Sequence, residues 1–337
     1  MLRDTHQRPV KDLRISVTDR CNFRCTYCMP LDEYEWIDRR EILSYEELAR
    51  LAGIFVGLGV DKIRLTGGEP LVRKDLDRLV ARVAPLDGLQ DLCLTTNGAL
   101  LAEQVAALKA AGLRRINVSL DTLNAERFRK ITQRGDLAKV LEGLFAAQSH
   151  GFAPIKLNAV IERGVNDDEI LDLVEFSRKH GFPIRFIEYM DVGNSNNWQS
   201  EKMVTKQEIL AVIRSRYALR EAGRENSSAP AVEYEFADGG GDLGVIASVT
   251  EPFCSACTRA RLTADGKLVT CLFSHVGHNL KALLRNGATD EEIREFIGCV
   301  WRSRNDRYSD ERLEAMQSVQ GYQAKNHKKI EMITLGG

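Results

Sequence analysis

The chain has 337 residues, 47 of them basic and 48 acidic, and its net charge is −1. This balance gives no general field that would attract nucleic acid or an acidic membrane surface, so any anionic ligand must be bound by local cations. The sequence has no apolar run of the roughly 18 residues that a membrane span requires and no signal-peptide core at its N-terminus, so we expect a cytoplasmic protein that binds neither nucleic acid nor membrane.

Short β-type runs alternate with longer helical patterns from Asp12 to about Met190. The first helical pattern, 44–58, opens with a capping box at Ser44 and Glu47. Strict alternation of strand and helix predicts βαβ units and a parallel sheet. Six units are too few for an eight-stranded barrel, so a partial barrel or an open doubly wound sheet remain. The predicted strands are 12–17, 61–66, 91–96, 115–120, 155–161 and 184–190, and the further helices are 74–83, 100–110 and 166–179.

Polar side chains recur on one face of these strands. Leu13 and Ile15 share one face of the first strand, which puts Arg14 and Ser16 on the other, and later strands alternate in the same way. A sheet covered by helices on both faces would be almost continuously apolar. A polar face on successive strands indicates a lined cavity, and we therefore predict an α/β fold with a partial (βα)6 TIM-type barrel.

The alternation is lost after about residue 205. Two β-type runs, 231–237 and 243–249, flank a glycine-rich turn and predict a hairpin. Helical patterns follow at 276–286 and 290–303. We predict a barrel domain over residues 1–205, and an α+β domain over 206–337 that closes the barrel opening.

Six of the eight cysteines lie in two short motifs, which indicates metal binding and not a disulfide framework. The other two, Cys93 and Cys299, lie in apolar runs and are expected to be small core residues.

The first motif, Cys21-x3-Cys25-x2-Cys28, follows the first predicted strand. It therefore lies at the C-terminal rim, where α/β proteins place their functional sites. Three cysteines can hold a four-iron cluster and leave one iron open to a small molecule. A zinc site would need a fourth ligand, and no nearby His or Cys supplies one.

With Tyr27 before its last cysteine, this motif resembles that of the radical S-adenosylmethionine (SAM) enzymes. In that superfamily the amino and carboxylate groups of SAM chelate the open iron, and electron transfer produces a 5′-deoxyadenosyl radical. The segment 66–70, Thr-Gly-Gly-Glu-Pro, supports the resemblance because glycines let the backbone approach a ligand closely. The resemblance implies that Tyr27, Gly68, Ser119 and Met190 contact SAM.

The second motif is Cys254-x2-Cys257-x13-Cys271. Because His275 and His278 follow it, spacing alone also allows a Cys3His zinc site. The segment directly after the second cysteine contains Arg259 and Arg261, which would share one face of an extended strand. Such a pair suits a polyanion better than a structural zinc.

Together the two motifs resemble one family over the whole chain, the GTP 3′,8-cyclases of molybdenum cofactor biosynthesis. The resemblance implies that the chain cyclises GTP to (8S)-3′,8-cyclo-7,8-dihydroguanosine 5′-triphosphate, the first step of that pathway. The implied cofactors are SAM and two [4Fe–4S] clusters, the second of which would bind the guanine ring. In this family a double-glycine tail, here Gly336 and Gly337, reaches into the active site and is needed for turnover.

The inward face of the predicted strands supplies cations for a triphosphate. GTP carries roughly four negative charges, which need fixed cations in a protected site. We expect the GTP-binding residues to be Arg14, Arg64, Thr95, Lys156, Arg259 and Arg261. The resemblance further assigns catalytic roles to Arg14, Arg261, Gly336 and Gly337.

The resemblance also implies a homodimer, a reductant protein of the flavodoxin or ferredoxin type, and delivery of the product to cyclic pyranopterin monophosphate synthase. Two alternatives stay open. One is a peptide-modifying radical SAM enzyme with an auxiliary cluster, although such enzymes usually carry more C-terminal cysteines than this chain. The other is a non-catalytic metal-binding module whose C-terminal part binds zinc.

Overall fold

The computed structural model describes residues 2–29, 34–196, 198–318, 322–324 and 328–336. Within these ranges the strands form one sheet of 12 strands. The strands are β1 Asp12–Ser16, β2 Lys62–Thr66, β3 Asp91–Thr96, β4 Arg115–Ser119, β5 Ile155–Ile161, β6 Ile184–Glu188, β7 Leu219–Gly223, β8 Val232–Phe236, β9 Asp242–Ile246, β10 Arg259–Leu262, β11 Lys267–Val269 and β12 His278–Asn279.

The α-helices connect and cover these strands. They are α1 Tyr45–Gly57, α2 Leu76–Val83, α3 Leu101–Ala110, α4 Ala125–Thr132, α5 Leu137–Ser149, α6 Ile170–His180, α7 Lys206–Arg214, α8 Leu280–Arg285, α9 Asp290–Arg302, α10 Tyr308–Gln317 and α11 Met332–Leu335. The helix α1 begins at the predicted capping box, in which the Ser44 side chain accepts from the backbone N–H of Glu47 and the Glu47 carboxylate accepts from that of Ser44.

The first six strands lie side by side in chain order and run parallel. Each agrees with a predicted strand to within two residues. The predicted hairpin is the antiparallel pair β8–β9. The structure adds helices that the sequence pattern did not indicate, among them α4, α5 and α10.

The outward face of the barrel strands is the main core. Leu13 and Ile15 on β1, and Ile63 and Leu65 on β2, are fully buried against the helices. The predicted polar face is the opposite one, so the alternation along each strand separates a helix-covered core from a lined interior.

C-terminal strands extend the sheet at both edges. On one edge β10 pairs parallel with β1, and on the other β9 pairs parallel with β6. The sheet is therefore continuous across residue 205, where the chain was predicted to change domain, and that boundary stays a prediction. Through β9 and β10, the C-terminal part of the chain thus contributes side chains to the barrel interior.

The two cysteines outside the motifs differ. Cys93 is buried in β3, as expected. The expectation for Cys299 is wrong, because this residue is exposed on the outer face of α9. The apolar run around it belongs to a helix of which only one face is buried, and Cys299 lies on the other face.

Candidate active site

A cavity of about 400 Å³ lies inside the curved sheet. All six motif cysteines line it, three from each motif. The cavity therefore joins two parts of the sequence that are more than 200 residues apart. Of the other predicted site residues, those that line it are Arg14, Tyr27, Arg64, Gly68, Thr95, Ser119, Met190, Arg259 and Arg261.

The first cysteine motif forms the loop after β1. The backbone N–H groups of Cys28 and Met29 both donate to the carbonyl of Cys25, which turns the loop into the cavity. The loop is held from outside by the end of α4, since the backbone N–H of Thr26 donates to the carbonyl of Ile131 at 3.0 Å. These contacts hold the loop backbone at residues 25–29 in place.

Burial raises the pKa of every thiol in this loop: of Cys21 to about 11, of Cys28 to about 12, and of Cys25 well above its ordinary value. Thiolates are thus unfavourable here unless a metal provides positive charge. Among the described residues, no three His, Cys or acidic side chains converge on the position of a single metal ion. A four-iron cluster does not require this, because each cysteine binds a different iron. The residues present fit such a cluster.

The double glycine at 67–68 packs against the backbone that leads into this loop. A Cβ atom on Gly68 would lie 2.4 Å from the carbonyl oxygen of Arg20, and one on Gly67 would lie 2.6 Å from that of Thr18. The backbone N–H of Gly68 also donates to the carbonyl of Thr18 at 2.8 Å. Glycine is therefore needed here for the approach of two loops, in addition to any approach of a ligand.

Two buried carboxyl groups support the same end of the cavity. The hydroxyl of Tyr27 donates to Asp121 at 2.7 Å, and burial raises the pKa of Asp121 to about 6. Burial likewise raises the pKa of Glu69 to about 7, although its carboxylate accepts from the backbone N–H of Asn97 at 2.7 Å and from the Thr96 hydroxyl. Glu69 thereby fixes the loop after β3 next to the first cysteine motif.

The second cysteine motif lies beside β10 and is surrounded by arginines. Arg259 and Arg304 each donate to the sulfur of Cys257 at 3.3 Å. Burial alone would raise the pKa of this thiol, but the two guanidinium groups lower it to about 6. Burial raises the pKa of Cys271 to about 12. One sulfur of this site is therefore prepared as a thiolate, which is the form that binds a metal.

The two histidines that could complete a zinc site lie elsewhere. His275 is exposed, and His278 lies in β12 with its ring against Phe296. Neither lines the cavity. The described residues thus present three cysteines, and not a Cys3His set, to the interior.

Three arginines lie side by side on adjacent strands. Arg14 on β1 is in register with Arg64 on β2 and with Arg261 on β10. Like charges directly opposite one another destabilise a sheet. Burial and the neighbouring cations lower the pKa of Arg261 to about 10 and that of Arg14 well below its ordinary value. The buried Nε atoms of Arg14 and Arg64 have no hydrogen-bond partner among the described residues. This row of arginines is therefore suited to binding an anion.

Thr95 and Lys156 differ in their relation to this row. The Thr95 hydroxyl accepts from Arg64 at 3.1 Å, which places it at the cavity wall. Lys156 lies on the inward phase of β5 but does not line the cavity. Burial and the nearby Arg185 lower its pKa. At that edge it is Arg185 that reaches the cavity.

The C-terminal tail enters the barrel. Gly336 is buried, and its carbonyl accepts from Arg261 at 2.8 Å. A Cβ atom at this position would lie 2.4 Å from Thr66 Cγ2, and its φ of 72° is one that favours glycine. Gly337 lies outside the described residues.

The cavity has further polar lining residues to which we assigned no role, namely Lys62, Asn117, Asn158, Arg185 and Arg304. The first four lie on the inward phase of their strands, so the period of two could have identified them. Arg304 follows α9 and reaches the site only through the tertiary fold, for which the sequence has no local signal.

Comparison with known proteins matches two parts of the chain to described families. Residues 15–177 match the radical SAM superfamily, and residues 182–310 match the family described as Molybdenum Cofactor Synthesis C. The GTP 3′,8-cyclase of Acidothermus cellulolyticus is 47% identical over 100% of this chain and 99% of its own length. That of Staphylococcus haemolyticus is 46% identical, with the same coverage. The chain belongs to the GTP 3′,8-cyclase family.

Solved structures similar to this member of the GTP 3′,8-cyclase family include Streptococcus suis SuiB bound to S-adenosylmethionine, with a TM-score of 0.60 and 16% identity over 86% of this chain and 68% of that one. At this identity the similarity concerns the fold alone. It confirms the predicted partial barrel, as family membership confirms the predicted resemblance. Membership in the radical SAM superfamily also confirms the use of SAM and iron–sulfur chemistry. No helix in the described residues is long and apolar enough to cross a membrane.

Proposed function

We propose that this chain converts GTP into (8S)-3′,8-cyclo-7,8-dihydroguanosine 5′-triphosphate, the first step of molybdenum cofactor biosynthesis. The observation that supports this most directly is the row Arg261–Arg14–Arg64 in a cavity that is also lined by both cysteine motifs. Arg64 and Arg261 are buried and Arg14 is half-buried, so their guanidinium groups repel one another, and a bound triphosphate would offset this repulsion.

Two [4Fe–4S] clusters would be held in this cavity, one by Cys21, Cys25 and Cys28 and the other by Cys254, Cys257 and Cys271. When bound, the first cluster would supply one electron to SAM, which would provide a 5′-deoxyadenosyl radical for hydrogen abstraction from C3′ of the ribose. The raised pKa values of the first three thiols are consistent with sulfurs that need a metal as counter-charge.

SAM would lie at the first site. Gly68, Ser119 and Met190 line that end of the cavity, together with Tyr27, whose ring is fixed by its hydrogen bond to Asp121. The carboxyl groups of Asp121 and Glu69 are buried close by. A lining with acidic and neutral groups suits a ligand that carries a sulfonium and an ammonium group.

GTP would lie at the other end. Arg14, Arg64 and Arg261 would bind the phosphates, with Arg259 between them and the second cysteine motif and Thr95 holding the Arg64 guanidinium. Lys156 would act on the phosphates from the edge of the site. With the triphosphate anchored, the base would extend to the second cluster and the ribose would face the first.

The tail would complete the site. Gly336 is already in contact with Arg261, and its lack of a side chain lets it fit between β2 and β10. Gly337, which lies outside the described residues, would share the catalytic role proposed for Gly336. The tail would exclude water and hold Arg261 in place, and both effects favour a reaction in which two carbons must be aligned.

We further propose that the chain works as a cytoplasmic homodimer, accepts electrons from a flavodoxin- or ferredoxin-type protein, and passes its product to cyclic pyranopterin monophosphate synthase. These partners are expectations from the family. The boundary between the barrel and the C-terminal iron–sulfur domain at residue 205 belongs to the same proposal.

Two measurements test the function. Anaerobic counting of iron and sulfide should give about eight irons per chain, whereas about four irons and one zinc would rule out GTP binding at a second cluster. Incubation with GTP, SAM and a reductant should form 5′-deoxyadenosine in step with GTP loss. If deoxyadenosine forms while GTP is not consumed, the substrate assignment is wrong.

A further inference from the structure

Three charged side chains meet behind the wall of the cavity and take no part in the function proposed above. Asp191, Arg312 and Lys329 are 1%, 1% and 4% exposed. They come from three separate segments: the loop after β6, the helix α10 and the tail before α11. Buried charges are costly unless they are paired and hydrogen-bonded.

Asp191 is the centre of this group. Its carboxylate accepts from the Arg312 guanidinium and from Lys329 Nζ at 2.8 Å. It also accepts from the hydroxyls of Tyr308, at 3.0 Å, and Tyr322. The attraction of Arg312 and Lys329 outweighs the effect of burial and lowers the pKa of Asp191. Four donors around one carboxylate leave it fully satisfied.

The group touches both ends of the active site. Met190 and Val192 line the cavity, whereas Asp191 between them points to the other side of the wall. Tyr308 stacks on Phe273, two residues after Cys271, with the ring centroids 4.5 Å apart. A displacement of this group would therefore also move Met190 and Val192 at the SAM end and Phe273 beside the second cysteine motif.

The tail is attached to the same loop by its backbone. Lys329 and Asn194 exchange two hydrogen bonds, of 2.6 and 2.9 Å, and the Asn194 amide also donates to Glu331 at 2.7 Å. The helix α11 follows directly, and then Gly336 with its carbonyl on Arg261. Lys329 is thus a buried charged anchor seven residues before Gly336.

We propose that Asp191 is a positioning residue that holds the C-terminal tail inside the cavity through its ion pair with Lys329. Arg312 supplies the second positive charge beside Asp191. Its guanidinium also donates to the carbonyl of Ser248 at 2.5 Å, which fixes the position of the guanidinium. An apolar contact could cover the same surface, but paired charges with directed hydrogen bonds select one position of the tail.

The test compares hydrogen exchange of the tail amides, residues 328–336, in four proteins with their clusters loaded: the wild type, Lys329→Met, Asp191→Asn and Glu169→Gln. The last is a matched control, because Glu169 is a buried carboxylate that accepts from Thr122 and Leu123 far from the tail. Lys329→Met leaves the Asp191–Arg312 pair intact, so it keeps the test valid if Asp191→Asn fails to fold.

We expect exchange of the tail amides to be at least about tenfold faster in Lys329→Met and Asp191→Asn than in the wild type, because a local opening is no longer opposed by the ion pair. In Lys329→Arg, which keeps the positive charge, the tail amides should exchange as slowly as in the wild type. Tail exchange that stays at the wild-type rate in Lys329→Met would overturn the proposal. Equally fast exchange in Glu169→Gln would also overturn it, since the effect would then be general destabilisation.

A second readout rests on the proposed function. If the tail is ordered in a smaller fraction of molecules, kcat for GTP consumption should fall by about that fraction while KM changes little. Exchange is measured without turnover, so its result stands even if the chain does not cyclise GTP. Fast exchange combined with an unchanged kcat would overturn the positioning role while leaving the proposed function intact.

Discussion

Burial raises the pKa of all three thiols at the first cysteine site and of Cys254 and Cys271 at the second, whereas Arg259 and Arg304 lower that of Cys257 to about 6. The sites share one cavity, so the contrast comes from their neighbours and not from their depth. The buried carboxyl groups of Glu69 and Asp121 lie at the first site, and the guanidinium groups of Arg259 and Arg304 contact a sulfur of the second. This difference explains how one cavity could bind a cationic and an anionic ligand without exchanging their positions.

The largest effects should come from removing one cysteine at each site. Cys25→Ala should lose about four irons and all formation of 5′-deoxyadenosine, because the electron can no longer reach SAM. Cys271→Ala should lose a similar amount of iron and all GTP cyclisation, yet keep reductant-dependent SAM cleavage. Iron analysis and chromatography of the nucleosides provide the measurement.

If Cys271→Ala also lost SAM cleavage, as Cys25→Ala should, the two sites would not have the separate roles proposed here. A Cys271→Ala protein that still cyclises GTP would show that the second site is structural. The exposed Cys299, changed to Ala, is the matched control and should alter neither iron content nor activity.

A smaller effect is expected from the arginine row. Arg261→Ala should weaken GTP binding about 10- to 100-fold, since one charge-assisted contact to a phosphate is lost in a protected site. SAM binding and both clusters should remain. Calorimetric titration with GTP measures the change, with the exposed Arg302→Ala as control. Unchanged GTP affinity would remove Arg261 from the binding site.

At the first site, Tyr27→Phe should weaken SAM binding by roughly three- to tenfold and leave GTP binding unchanged. The variant keeps the ring but removes the hydroxyl that donates to Asp121, so a buried acceptor loses its partner. Equilibrium binding of both ligands to the same preparation gives the comparison. An equal loss for GTP would mean that the two ends of the cavity are not independent.

The smallest effect concerns pH. Burial raises the pKa of Glu69 from 4.5 to about 7, so the folded protein binds this proton more tightly than the unfolded chain does. The resulting stabilisation is complete below pH 4.5 and is lost as the pH rises through about 7. Glu69→Gln should therefore flatten the fall in the free energy of unfolding between about pH 5 and pH 8.

Urea denaturation of the metal-free protein at several pH values measures this slope. The exposed Glu292→Gln serves as control and should keep the wild-type slope in that range. If Glu69→Gln also keeps it, Glu69 is ionised in the fold, and its hydrogen bonds to Thr96 and Asn97 outweigh its burial.

Local patterns were sufficient to predict β1–β6, because each strand alternates apolar and polar residues with a period of two. They also placed Arg14 and Arg64 in the interior. Local patterns could not predict that β10 pairs with β1, because this pairing joins segments about 245 residues apart in the chain. Without that pairing, the sequence does not show that Arg261 lies next to Arg14 and Arg64.

The helix α10 was missed for a related reason. The residue that it buries most completely is Arg312, and its partner Asp191 lies 121 residues away. A helix that is anchored by a buried charge has no apolar stripe for a periodicity argument to detect. Arg304 is similar, because only the tertiary fold brings its guanidinium to Cys257.

The central claim is that SAM and GTP lie next to each other in one cavity, with GTP on the arginine side. The most direct test is turnover with GTP deuterated at C3′, followed by mass spectrometry of the 5′-deoxyadenosine. The account predicts that each GTP consumed transfers one deuterium to one deoxyadenosine. Deoxyadenosine without deuterium, formed while GTP is consumed, would contradict it.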